Sequence, residues 1–163
     1  MAQMSDALVQ EMLLGRYIAT LATENADGSI HMVAVWYYFD GESVYVATAG
    51  RSRKAQNVSR GSRVSLMIDS RDLAGQRGIT ITGTARLLSG APSSPWNEKV
   101  HHKYLSTAAL VDPKVGPVFT QWDDVTIQIT PTSVIAWDLR EADRQFFGGA
   151  MSSNPGYLLP LDR

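Results

Sequence analysis

The chain has 163 residues, of which 44% are hydrophobic and 19% are charged, and its formal net charge is −1 at pH 7. This length and composition are typical of one globular domain with a sizeable core and exclude a disordered chain. The near-zero charge gives no reason to expect nucleic acid or an acidic membrane as a partner. The absence of cysteine excludes disulfides, thiolate metal sites and cysteine nucleophiles.

The N-terminal segment predicts an amphipathic helix over residues 5–14. Ser5 or Asp6 can cap this helix, and apolar residues recur on one face between Leu8 and Leu13. The segment lacks the basic head and the uninterrupted apolar stretch of a signal peptide. No window of the chain approaches the roughly 18 apolar residues of a membrane span. We therefore expect a soluble cytoplasmic protein.

Three β-strands joined by tight turns are predicted next, over residues 17–23, 30–39 and 43–48. The strand segments are rich in β-branched and aromatic residues. An Asp-Gly pair follows each of the first two strands, and this dipeptide is a strong hairpin signal. The three strands should form an antiparallel meander.

A cluster of positive charge follows the third strand. Five of the 15 lysines and arginines lie between residues 51 and 63, where the chain passes into a predicted helix. The first turn of a helix already carries unpaired N–H groups and a partial positive charge, so cations are unfavourable there. Two interpretations stay open on charge alone: a solvated helix face, or a binding site for an anion.

The remaining pattern is mainly β. Strands are predicted over 63–69, 78–88, 124–130 and 133–139, with a polar loop through Gly75 and a helix over 96–104. Gly83, in the middle of a strand, indicates a bulge or a close backbone approach. Many strands with few helices between them indicate an antiparallel barrel. No repeat or linker interrupts the pattern, so we expect one domain over residues 1–163, with a core over 17–139 and a C-terminal tail over 140–163 that is a lid or covers a partner.

The segment HMVAVWYYFDGESVYVATAGRSRKAQNV resembles the flavin-binding core of the pyridoxamine 5′-phosphate oxidase-like split β-barrel superfamily. Members typically show a strand, a turn, a second strand ending in Thr, and a Ser-Arg-Lys triplet that opens a short helix. Here Thr48 is followed at the expected distance by the triplet Ser52-Arg53-Lys54. GITITGTARL resembles the family's next cofactor-side strand. The resemblance covers residues 17–88 and, more weakly, the strands up to residue 139.

This resemblance implies a mainly β (α+β) fold: an antiparallel six-stranded split β-barrel with Greek-key topology and a few short flanking helices. It implies an FMN-dependent oxidoreductase that transfers hydride at flavin N5, with an unknown substrate. Family members are usually homodimers with a cofactor in each of two symmetric clefts at the interface. Late residues of one chain then cover the ring held by the other.

The resemblance also assigns a role to the cationic cluster. The FMN phosphate would bind at Thr48, Ser52, Arg53 and Lys54, where helix N–H groups, hydroxyls, a guanidinium fork and an ammonium group can all donate to phosphate oxygens. The bound dianion would relieve the conflict between the cations and the helix dipole.

The ring-side residues implied by the resemblance lie mostly on the second strand. The oxidase itself has Arg and Lys at the positions aligned with His31 and Trp36, so its own substrate chemistry is not implied for this chain. No side chain stands out as a catalytic acid or base. The residues expected along or over the ring are His31, Val33, Val35, Trp36, Gln76 and Trp137; Trp137 alternatively packs in the core.

Other functions stay open. Similar short members of the superfamily are reductases that use the deazaflavin coenzyme F-420, and a longer basic groove beyond Lys54 would favour that cofactor. Others are non-catalytic flavin or haem carriers. A metal site at His101 and His102 is not expected, because adjacent helical residues point about 100° apart. Nucleic-acid binding lacks support, because no aromatic residue lies among the basic ones.

Overall fold

The computed structural model describes residues 2–72 and 75–159, in which one antiparallel sheet is flanked by helices. The strands are β1 (Ala19–Glu24), β2 (Ile30–Val35), β3 (Tyr38–Phe39), β4 (Val44–Thr48), β5 (Arg63–Ser70), β6 (Arg77–Ser89) and β7 (Val125–Asp138). The helices are α1 (Ala7–Leu14), α2 (Arg53–Arg60), α3 (Ser94–Tyr104), α4 (Thr107–Val111), α5 (Gly116–Trp122), α6 (Leu139–Phe147) and α7 (Ala150–Ser153), followed by a 3-10 turn over Pro155–Tyr157. No helix within these two ranges has the length and apolar character needed to cross a bilayer.

The sheet closes into a split barrel through the segment that joins β2 to β3. The strand order is β2-β1-β5-β6-β7-β4-β3, so β2 and β3 lie at opposite edges. Only Trp36 and Tyr37 separate these two strands in the chain, so the polypeptide passes from one edge of the sheet to the other within two residues. The strand predicted as continuous over 30–39 is therefore divided, and the sheet has seven strands where the family resemblance implies six.

The β6–β7 pair is the longest ladder of the sheet. The two strands predicted over 124–130 and 133–139 are a single strand, because Pro131 does not interrupt it. The ladder shifts register between Thr82 and Gly83, and Gly83 lies opposite Pro131. A proline has no N–H to give to a ladder and is tolerated where the pairing is irregular. The predicted bulge at Gly83 is confirmed.

The bulge depends on the missing side chain of Gly83, and replacing this residue with alanine should destabilise the barrel. A Cβ at this position would lie 2.5 Å from the carbonyl oxygen of Thr130, which is backbone and cannot move aside freely. We expect the free energy of unfolding to fall by about 1–3 kcal/mol. The matched control is Gly61→Ala, because nothing lies within 4 Å of a Cβ there. Urea unfolding of both variants checks the prediction, and equal stability of the two would contradict it.

The core fills the inside of the barrel and the space under α1. The predicted N-terminal helix is confirmed as α1, which buries Val9, Met12 and Leu13 against the sheet. Tyr37 is fully buried, and its hydroxyl lies within hydrogen-bond distance of the Met12 and Gly15 carbonyl oxygens. Tyr37, one of the two residues of the barrel crossing, is thereby held to α1.

The connection between α3 and β7 and the C-terminal segment are helical, which the sequence patterns did not predict. The loop between α3 and β7 contains α4 and α5. The predicted tail forms α6 and α7, joined by Asp143, whose carboxylate accepts hydrogen bonds from the backbone N–H groups of Met151 and Ser152, 3.0 Å away in both cases. Residues 73–74 of the predicted polar loop and residues 160–163 of the tail lie outside the described residues.

Candidate functional site

The turn between β4 and α2 positions the predicted anion-binding groups. β4 ends at Thr48, which is buried, and Ser52 is the N-cap of α2. The Ser52 hydroxyl accepts a hydrogen bond from the Ala55 N–H (3.4 Å) and lies 3.1 Å from the Thr48 hydroxyl. Because Ala55 and Val58 are buried against the sheet, the helix is fixed in place and its first turn is held at the end of β4.

A cleft of about 340 Å³ opens beside this turn. Its volume lies at the lower end of the range for small-molecule sites, roughly 300–1,000 Å³. Lys54 lines the cleft and is half-buried; burial lowers the pKa of its ammonium group, and the nearby carboxylate of Asp123 opposes that shift. The lining residues are Ile18, Ala34, Val35, Trp36, Ala47, Thr48, Lys54, Val100, Phe119 and Asp123.

An aromatic stack forms one wall of the cleft. The Trp36 ring lies parallel to that of Tyr104, with centroids 5.0 Å apart and an interplanar angle of 4°. Phe119, on α5, stacks on Trp36 at 5.8 Å. The Tyr104 hydroxyl donates to the Tyr17 carbonyl oxygen at 2.6 Å, which anchors the stack to the barrel. Trp36 and Phe119 line the cleft and Tyr104 does not, so the stack gives the cleft an apolar aromatic wall that is anchored to the barrel.

The cations next to the cleft differ in exposure. Arg51 and Arg53 are exposed and form no ion pair within the described part of the chain, whereas Lys54 faces the cleft. Arg53 adjoins the cleft at the start of α2 and does not line it. The start of α2 thus combines exposed N–H groups with guanidinium and ammonium groups, a set of donors suited to a phosphate.

Two acidic residues at the end of α5 contact this region, and sequence analysis did not identify them. Asp124 accepts a hydrogen bond from the Gly50 N–H at 2.6 Å, in the turn that leads to α2. Asp123 lines the cleft, and its carboxylate oxygen lies 2.8 Å from Nε2 of the buried His101. The position of these two acids depends on α5, which the sequence patterns did not predict. The sequence signal that could have identified them is that they are adjacent and come directly before β7.

Four residues of the second strand were predicted to lie beside the ring, and the structure places two of them in the cleft and two outside it. Val35 and Trp36 line the cleft, and the neighbouring Ala34 lines it as well. His31 and Val33 lie farther along β2 and are not among the cleft residues. The half-buried His31 pairs with Thr23 of β1, at the end of the barrel near the β1–β2 turn.

Gln76 and Trp137 are not among the residues that line this cleft. They are found where β6 begins and β7 ends, whereas Thr48 pairs with Val125 at the start of β7. Trp137 therefore lies at the opposite end of β7 from the predicted phosphate site. Trp137 packs over Gly78, where a Cβ would lie 2.7 Å from its ring, and the Gln76 carbonyl oxygen accepts from the N–H of Leu139.

The two adjacent histidines of α3 contact different carboxylates. His101 is buried and pairs with Asp123, while His102 is exposed and lies 3.6 Å from Glu98. Phe119 packs beside the His101 ring at 5.3 Å. His101 therefore fixes the position of the acid that lines the cleft and does not line the cleft itself.

Comparisons with known proteins agree with this architecture. A family model for pyridoxamine 5′-phosphate oxidase matches residues 5–138. The chain is 32% identical over 109 residues to an FMN-binding protein of Nitratidesulfovibrio vulgaris, a match that covers 62% of this chain and 86% of that protein.

Solved structures share the fold. A conserved hypothetical protein from Mycobacterium tuberculosis superposes with a TM-score of 0.69 at 26% identity, covering 86% of this chain and 88% of that one. An F-420 reductase superposes with a TM-score of 0.60 at 20% identity, covering 77% of this chain and 94% of that one. Since the family model spans most of the residues from α1 to the end of β7, the chain belongs to the pyridoxamine 5′-phosphate oxidase family of split β-barrels.

Proposed function

We propose that this protein is an FMN-dependent oxidoreductase with an unknown small-molecule substrate. The observation that carries the proposal is the cleft at the end of β4, where Thr48 and Lys54 lie beside an apolar aromatic wall that includes Trp36. A phosphate-bearing ligand with a flat ring needs these two environments next to each other. The name of the Nitratidesulfovibrio relative supports the same cofactor.

The residues present fit the phosphate end of FMN. Ser52 and Thr48 present hydroxyls, Lys54 presents a half-buried ammonium, and Arg53 lies at the open side of the same turn. The phosphate would take the place of bulk water around Lys54, where burial now disfavours the positive charge. Each charge-assisted hydrogen bond of this kind contributes about 1.5–3 kcal/mol.

The apolar wall fits the other end of the cofactor. When bound, FMN supplies hydride transfer at its N5 atom. In this proposal, Val35 and Trp36 hold the ring in place, and Val100 and Phe119 exclude water from it. The backbone at the β2–β3 crossing offers hydrogen-bonding groups to the ring. No described acid or base other than Asp123 and Lys54 lines the cleft, so the catalytic residues stay unassigned.

A homodimer with the cofactor at its interface is part of the proposal. On the outer face of the sheet, two rows of paired residues cross β2, β1, β5, β6 and β7, with one residue from each strand, and neither row contains a charged residue. The first row is Ala34, Thr20, Met67, Thr80 and Ile135, and the second is Met32, Ala22, Ser65, Thr82 and Ser133. Met32 is 62% exposed and Ile135 is 61% exposed. An uncharged, partly apolar face of this width is suited to cover by a second copy.

The same dimer would bring together the two groups of predicted cofactor residues. Trp137 and Gln76 do not line the cleft of their own chain, and they lie at the opposite end of the β6–β7 ladder from Val125, the partner of Thr48. A twofold axis through the uncharged face would place the far end of one ladder near the partner's cleft. This arrangement is the one implied by the resemblance to the family, and it makes each site depend on both chains.

A second candidate cofactor, the deazaflavin coenzyme F-420, is favoured by one observation. A polar groove of about 500 Å³ lies at the other end of α2, and its charged lining residues are Arg60, Arg63 and one acid, Glu24. Neither arginine forms an ion pair with a described residue, and Arg60 donates a hydrogen bond to Asn57. Such a groove suits an anionic tail longer than that of FMN.

The two cofactors are distinguished by the absorption and fluorescence spectra of the purified protein after incubation with each. We expect the protein to retain FMN, and we expect the bound FMN to be reduced by a reduced nicotinamide under anaerobic conditions. Retention of the deazaflavin alone would replace the first candidate with the second. Retention of FMN or haem without turnover would show a carrier, and failure to retain any of the three would overturn the proposal.

A further inference from the structure

A second cavity, of about 400 Å³, lies between α1, β3 and α3. It shares no lining residue with the cleft beside Lys54. Its floor is apolar, and the ionisable side chains that line it carry positive charge or are imidazole or phenol groups; no carboxylate is among them. The lining residues are Leu13, Leu14, Tyr38, Phe39, Lys99, His102 and Lys103.

The central polar group of this cavity is the ammonium of Lys103. Its Nζ atom donates to the Leu13 carbonyl oxygen at 3.2 Å, near the C-terminal end of α1, and lies 3.8 Å from the centroid of the Tyr37 ring. The side chain forms no ion pair with any described residue. Because Lys103 is largely buried and Arg16 adds a second positive charge, the pKa of this ammonium falls to about 8.

The neighbouring charges have the same sign. Lys99 lies one helical turn before Lys103 on α3, with Nζ 4.3 Å from the Trp96 ring centroid. Arg16 follows α1 and repels Lys103 electrostatically. Two acids adjoin the lining residues in the chain and have other partners: Glu98 is exposed and lies 3.6 Å from His102, and Asp40 accepts a hydrogen bond from the Tyr45 hydroxyl. A half-buried cation among other cations, with no acid beside it, is stabilised by an anion that enters the cavity.

We propose that this cavity binds a small amphipathic carboxylate, with the carboxylate on Lys103 and Lys99 and its apolar part against Leu13, Leu14 and Phe39. The apolar floor excludes a bare inorganic anion as the best ligand, because Leu14 and its neighbours would gain nothing from it. The cationic rim repels a cationic ligand and leaves the ammonium groups without a charged partner when the ligand is neutral. The site goes beyond the proposed redox function and does not depend on a flavin.

The proposal predicts a specific pH dependence of binding. Lys103 must carry its proton to bind the carboxylate, and the bound anion raises the pKa of Lys103 above its value in the free protein. Affinity should therefore be constant from about pH 6, where the ligand's carboxylate is still fully ionised, to pH 8, and fall by up to about tenfold per pH unit above pH 8. The other charged or titratable groups at this cavity are Arg16, Lys99, His102, Tyr37, Tyr38 and Tyr104, and burial raises the pKa of the Tyr37 and Tyr104 phenols, which keeps them neutral over this range.

Calorimetric titration with hexanoate, hexanol and acetate tests the site on the full chain. We expect hexanoate to bind at least about tenfold more tightly than hexanol, which lacks the charge, and than acetate, which lacks the apolar chain. Lys103→Met, which keeps the apolar stem, should weaken hexanoate binding at least about tenfold and remove the pH dependence above pH 8. Lys114→Met, on an exposed lysine outside the cavity, is the matched control and should bind as the unaltered protein does.

A second variant covers the case in which Lys103→Met does not fold. Leu14 is 65% exposed, so Leu14→Glu should fold, and it places a fixed carboxylate at the cavity that repels hexanoate. Equal binding of hexanoate and hexanol, or unchanged binding in both variants, would show an apolar surface without the proposed site and overturn the inference. No detectable hexanoate binding to the unaltered protein would overturn it as well.

Discussion

Replacing Arg53 and Lys54 together with alanine should release FMN and leave the barrel folded. Lys54 faces the cleft and Arg53 stands at its open side, so the pair supplies the side-chain positive charge at the proposed phosphate site. With about 1.5–3 kcal/mol for each charge-assisted hydrogen bond, the double change should weaken FMN binding by roughly 10²–10⁴-fold. Fluorescence titration of the apoprotein with FMN measures this loss.

The fold should tolerate the double change because neither side chain supports it. Arg53 is exposed, and Lys54 donates no hydrogen bond within the described residues. Burial also lowers the pKa of the Lys54 ammonium group, so its positive charge does not stabilise the folded chain. The control is Lys114→Ala with Arg144→Ala, which removes the same charge from exposed positions away from the cleft. FMN affinity within threefold of the unaltered protein would mean that the phosphate binds elsewhere, and a lower melting temperature than in the control would show a structural role.

Most of the fold could be predicted from the sequence because local signals determine it. The Asp-Gly turns, the alternation of GITITGTARLL and the Ser-Arg-Lys triplet after Thr48 each mark an element over a few residues. The division of the strand over 30–39 could not be predicted in this way. Trp36 and Tyr37 have ordinary strand propensities, and the chain changes partner there only because the barrel must close between two sheet edges.

The candidate site was predictable at its phosphate end and much less so at its walls. Ser52, Arg53 and Lys54 are consecutive, so a motif can identify them. Phe119 and Asp123 reach the cleft only through the packing of α5 against α3 and Trp36, a tertiary contact between distant segments. Short helices such as α4 and α5 have weak sequence signals, since most of their stability comes from such contacts.

The position of Trp137 outside the lining of the cleft gives the proposed dimer a functional consequence. If the far end of β7 completes the partner's site, a monomer retains the phosphate end of the site and loses the groups that cover the ring. Oligomeric state and cofactor affinity should then change together. If each cofactor site were instead complete within one chain, oligomeric state and cofactor affinity could change separately.

Met32→Glu combined with Ile135→Glu should therefore produce a monomer that binds FMN poorly. Both side chains are exposed on the uncharged sheet face, so the barrel accepts the change, but two glutamates per chain would be buried without partners in a dimer. Light scattering should show a mass near 17.9 kDa for this variant and twice that for the unaltered protein. The loss of the partner's Trp137 should weaken FMN binding by roughly tenfold or more.

The matched control is Val111→Glu, which adds a charge at an equally exposed apolar residue on α4, outside the sheet face. This variant should remain dimeric and keep its affinity for FMN. A Met32→Glu, Ile135→Glu protein that stays dimeric would place the interface on another surface. A monomeric variant with unchanged affinity would place the whole cofactor site within one chain, and it would assign Trp137 to packing over Gly78 alone.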